Sequence, residues 1–72
     1  MKAIISRTNS VGAIAEVGTS DRTVVSHYKT SGGVVRYARK YAQGKPFRVE
    51  FFRDEKFYAE PYMVIVENGA TL

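Results

Sequence analysis

Apolar and polar residues alternate most regularly in Phe47-Arg48-Val49-Glu50-Phe51-Phe52-Arg53, setting Phe47, Val49 and Phe51 on one face and Arg48, Glu50 and Phe52 on the other. This pattern predicts a half-buried strand. Lys2 to Arg7 repeats it, with Ala3 and Ile5 facing one way and Ile4 the other, and Asn9-Ser10 reads as the turn that follows. From Val11 to Val17 small residues separate branched ones. A helix there would lose about 1 kcal/mol at Gly12 relative to alanine, so a second strand paired back on the first is expected. Gly18 to Asp21 is turn chemistry, and Thr23 to Lys29 predicts a third strand. Its Thr23, Val25 and His27 oppose Val24, Ser26 and Tyr28, a pattern that assigns neither face to the core. After a polar hairpin loop at Asp54-Glu55-Lys56, Phe57 to Val66 returns as the last strand. Pro61 has no ladder N–H and belongs at an edge or bulge, which leaves Met63 to Val66 as the better-paired half. Asn68-Gly69 ends that strand, with a loose tail from about residue 69.

The remaining stretch changes period. Between Thr30 and Pro46, Val34, Val35, Ala38, Tyr41 and Ala42 share one sector at 100° per residue, and Arg36, Arg39, Lys40 and Gln43 lie opposite. Thr30 or Ser31 can cap the first amides, Gly44 can take a left-handed conformation, and Pro46 forbids continuation; the helix should run about from Gly32 to Gln43. The expected fold is α+β, a small, largely antiparallel sheet in the order β-β-β-α-β-β with one amphipathic helix packed across one face. The other face of the sheet would lack a helix, and Phe52, Tyr58 and Tyr62 are candidates to occupy it as a contact patch.

Composition bounds this further. Seventy-two residues make one domain, burying only about 60% of the unfolded surface or a little more, so the core is thin and a symmetric dimer through an exposed face or edge is invited. There is no cysteine, which excludes disulfides and thiolate metal sites. The start shows no signal-peptide pattern, and no apolar run approaches the length needed to cross a bilayer; a soluble, cytoplasmic chain without membrane contact is expected. The net charge of +4 favours anionic partners. It is concentrated in the first half, where Lys2, Arg7, Arg22, Lys29 and Arg36 face only Glu16 and Asp21.

Catalytic chemistry is sparse. His27 is the single histidine, which excludes a histidine pair and a histidine-rich metal site within one chain. Glu50 and Glu60 could approach across the last hairpin, but each reads more simply as the partner of an arginine. His27 with Arg22 and Lys29 would be a minimal ribonuclease site, without any spacing that singles it out. Gly32-Gly33 before the helix could open an anion site, or simply turn the chain into the helix. No enzyme activity, metal or cofactor is expected. The strongest candidates are Arg36, Tyr37, Arg39, Lys40 and the following Lys45, joined by Arg48, Tyr58 and Tyr62: cations at helical spacing can meet successive phosphates, and tyrosines can stack on unpaired bases. The competing meaning of such a run is a solvated helix face.

A hairpin start, a capped central helix and a closing hairpin in a cysteine-free chain of this size resemble small phage-encoded inhibitors, anti-CRISPR proteins and host-polymerase inhibitors among them. The resemblance lies in size, element order and the Thr30 to Pro46 unit, and carries over no individual residue. It implies a non-enzymatic module that docks on, and inhibits or adapts, a larger host protein or nucleoprotein complex. Direct RNA or DNA binding by the basic helix face is the alternative, and a small ribonuclease the second alternative.

Overall fold

A computed structural model of the chain describes residues 2–8, 12–16, 21–53 and 60–68. The expected turns at Asn9-Ser10 and Gly18 to Ser20, the 54–56 loop, Tyr58 and the tail from residue 69 lie outside them. The elements are β1 (Lys2–Arg7), β2 (Arg22–Val25), α1 (Ser31–Ala42), β3 (Phe47–Phe52) and β4 (Met63–Glu67). They form one antiparallel sheet in the order β2-β1-β3-β4 with the helix laid over β1 and β3, a small α+β fold.

The strand order is β-β-α-β-β rather than β-β-β-α-β-β. Of the strand expected over Val11 to Val17, the described residues 12–16 make a single bridge, Ile14 opposite Thr8, with the Ala15 N–H donating to the Arg7 carbonyl at 3.3 Å. The cause is competition for partners. Between Ala3 and Ser6 both edges of β1 are already taken, by β2 (Ala3 opposite Val25) and by β3 (Ala3 opposite Phe51), so the described residues of this segment pair at Arg7 and Thr8, past the β2 ladder. Gly12, at φ +91°, also leaves the extended region.

Helix α1 begins where the sequence suggested. Thr30 is the N-cap, its Oγ1 accepting from Gly33 N at 3.2 Å. The end differs slightly: Gln43 takes the left-handed cap conformation at φ 55°, and Gly44 follows at φ +83°. Val34, Val35, Ala38 and Ala42 are buried against Ala3, Ile5, Val25, Phe47, Val49 and Phe51. The alternation of β3 is therefore that of a strand covered on one side, as its sequence predicts. Val25 is buried and Val24 is 55% exposed, which fixes the sidedness that the β2 pattern left open. Near Pro61 the chain bulges: Tyr62 N donates to Phe51 O at 3.0 Å although Met63 is Phe51's ladder partner, so two residues oppose one.

The uncovered sheet face carries a groove of about 740 Å³ lined by Ile4, Ser6, Arg22, Arg48, Glu50 and Phe52, with Ile14 to Glu16 and Pro61 at its border. Phe52 is only 7% exposed in that setting, so it is not the open contact patch expected. No helix among the described residues is long and apolar enough to cross a membrane.

Candidate binding surface on the helix flank

The cations expected to act together are divided by the fold. Arg36 and Lys40 are exposed one turn apart on α1 and share a shallow groove of about 260 Å³ with Tyr28, Gly33 and Tyr37. Arg39 turns the other way, toward β4, where its guanidinium grips Glu67 in a bidentate pair at 3.0 and 2.8 Å. This pair holds the Glu67 carboxyl below the usual carboxylate range and raises the Arg39 guanidinium further. Lys45 lies beyond the helix C-terminus beside Arg7, Thr8 and Asp21. Arg48 is on the opposite face of the sheet, 3.6 Å from Glu50. Tyr62 is 45% exposed with the Arg53 guanidinium 5.0 Å from its ring centre. Of the described members of the expected set, then, only Arg36, Tyr37 and Lys40 meet at one surface.

Residues outside the expected binding set complete it. Four rings form a ladder along this flank: His27 to Tyr28 at 4.4 Å, Tyr28 to Tyr37 at 5.8 Å and Tyr37 to Tyr41 at 6.2 Å between centroids. Its lower end is fixed by Arg7, whose guanidinium lies 4.5 Å from the Tyr41 ring centre while donating to the Tyr41 carbonyl at 2.9 Å and to Asp21 at 3.1 Å. Gly33 gives the sequence signal for Tyr28. A Cβ there would sit 3.1 Å from the Tyr28 ring, so a glycine in the first turn lets the ring lie against the helix. The same glycine's N–H is used by the Thr30 cap, which accounts for Gly32-Gly33 as the turn into the helix rather than an anion site.

Burial pushes the Tyr41 phenol up, with the Arg7 charge opposing and Asp21 and Tyr37 adding to the rise. The folded state therefore favours the neutral phenol. That stabilisation is full below the ordinary phenol value and is lost as pH rises through the raised one. In an alkaline titration followed by phenolate absorbance, Tyr41→Phe is expected to remove a component ionising above free tyrosine. A difference curve centred at the free value would show that the ring is not shielded.

Around Arg36 and Lys40 the flank is basic. Helix α1 contains no acidic residue, and no carboxylate among the described residues pairs with Arg36, Lys40 or the adjacent exposed Lys29. A groove of this volume is smaller than the roughly 300–1,000 Å³ of small-molecule pockets and suits a single planar group. The minimal ribonuclease set is not assembled: Arg22 bonds Glu50 at 3.3 Å on the uncovered sheet face, whereas His27 stacks on Tyr28. No group of three or more metal-ligating side chains occurs among the described residues. No family model matches the chain, and no curated protein or solved structure matches it.

Proposed function

We propose that the chain is a non-enzymatic binding module that takes a single strand of nucleic acid on the Tyr28, Arg36, Tyr37 and Lys40 flank of α1. The strand is either free or part of a larger nucleoprotein complex that the module adapts or inhibits. One observation carries this reading: Arg36 and Lys40, which pair with no carboxylate among the described residues, border partly buried tyrosine rings, so phosphates and unstacked bases find complementary groups side by side. Arg36 and Lys40 are about 6 Å apart along the helix axis, close to the spacing of successive phosphates on an extended strand. A second reading, docking on an acidic host-protein surface in the manner of a phage-encoded inhibitor, draws on the same flank because Arg and Tyr dominate interface hot spots.

Fluorescence anisotropy of labelled single-stranded RNA, single-stranded DNA and duplex DNA at two salt concentrations separates these. Single strands are expected to bind better than duplex, with a log–log salt slope near −0.7 per phosphate contacted. Arg36→Ala/Lys40→Ala should weaken binding about tenfold or more and flatten the slope by roughly 1.4, the share of two phosphates. Tyr37→Ala should cost about 1–3 kcal/mol and leave the slope unchanged. Absence of single-strand binding at low salt overturns the nucleic-acid reading and transfers the flank to a protein partner. Cleavage of the RNA that His27→Ala abolishes would restore the ribonuclease.

A further inference from the structure

We infer that the outer edge of β4 is a self-association surface that pairs antiparallel with β4 of a second copy of this chain, about a two-fold axis at Ile65. This does not depend on the helix-flank reading. Of the sheet's two edges, β2 is four residues long and carries Arg22, whereas β4 runs Met63-Val64-Ile65-Val66-Glu67 with no lysine or proline inside it. Such an edge is longer than β2 and mostly apolar, and the features that ordinarily block strand addition, Pro61 and the bulge beside it, lie at its Met63 end only. No described residue is placed against its outer side.

Three observations point to a second copy as the occupant. The strand is self-complementary: Ile65 is its centre, and a two-fold there pairs all five residues, setting Val64 of each chain against Val66 of the other. Val64 and Val66 are 41% and 58% exposed, both on the uncovered sheet face, where they lie opposite Glu50 and Arg48 in the ladder. The edge strand itself also carries no cation to oppose the approach of two chains of net charge +4. Glu67, its one charged residue, is neutralised by Arg39, and Arg36 and Lys40 lie on the other flank of the helix beside Tyr28. The pairing would join two four-stranded sheets into one continuous sheet with both helices on the same side, doubling the basic flank. Five residues per chain make a small contact beside the roughly 1,000 Å² of a stable interface, so association belongs in the micromolar range or weaker.

Sedimentation equilibrium across a wide concentration range tests this in three proteins whose folding is checked by circular dichroism. The wild type is expected to show a monomer–dimer equilibrium. Val64→Lys/Val66→Lys places like charges opposite each other twice and should weaken association at least about tenfold. Val64→Lys/Val66→Glu alters the same exposed positions but creates two Lys–Glu pairs in the Ile65-centred register, and should stay within about threefold of wild type. A wild type that remains monomeric at every concentration overturns the proposal and leaves the edge to an extended segment of another protein. Equal dimerisation by both double variants overturns it as well, since association would then use another face.

Discussion

Phe51→Ala is expected to remove most of the fold's stability. The ring is fully buried on the helix side of β3, opposite Ala3 on β1 and Met63 on β4, so three strands and the helix close around it. Truncating a buried phenylalanine costs about 3–5 kcal/mol through lost transfer energy and the cavity left behind. A chain of this length has on the order of 4–11 kcal/mol to lose, and a one-helix core lies toward the lower end. The neighbours cannot collapse into the space, because Ala3 is already small and β1 is held on both sides by ladders. Thermal unfolding followed by circular dichroism should show the midpoint falling by at least about 15 °C, or no cooperative transition. Val24→Ala, at an apolar position on the uncovered face, should change stability by only about 0.5 kcal/mol. Equal losses at the two positions would mean that the helix does not select one face of the sheet.

That contrast also marks what the chain's local pattern can and cannot convey. The alternation of Phe47, Val49 and Phe51 and the sector of Val34, Val35, Ala38 and Ala42 each identify a buried face from a single segment, and both faces meet in the core. Thr30 and Gly44 bracket the helix for equally local reasons. Where strands compete for one partner, local pattern is silent. Val11 to Val17 has residues compatible with a strand, yet β2 occupies the edge it would have needed, and nothing within the segment reports that loss. Val24 and Val25 are likewise equivalent until the Ala3–Val25 register assigns one to the helix side.

The candidate surface was legible to a similar extent. Arg36, Tyr37 and Lys40 follow from helical spacing alone. That Arg39 belongs with Glu67, 28 residues away, is a tertiary fact, and it removes the middle member of what reads as a basic triad. Tyr28 joins the flank from outside the helix. Its only trace in the sequence is Gly33, where the ring displaces any side chain.

The charges on the uncovered face are expected to serve stability, and Glu50 is the residue that shows it. Its carboxylate lies between Arg22 at 3.3 Å and Arg48 at 3.6 Å, and the Arg22 and Glu50 side chains are only 13% and 17% exposed. Glu50→Ala leaves two guanidinium groups facing one another in the groove, one of them largely shielded from water, and should cost about 2 kcal/mol. Full burial would make the loss larger, and a solvated surface pair would lose well under 1 kcal/mol. Arg22→Met/Glu50→Leu removes both desolvated charges together and should recover most of the loss, because an apolar pair of similar volume meets no unpaired partner. Urea unfolding of the two variants gives the comparison directly. A Glu50→Ala protein as stable as wild type would return this cluster to the status of solvated surface charge and make the groove a candidate site in its own right. Single-strand binding by Glu50→Ala should match wild type while the protein remains folded, since the Tyr28 to Lys40 flank lies on the other side of the sheet. Loss of both together would place the nucleic-acid contacts on the sheet rather than on the helix.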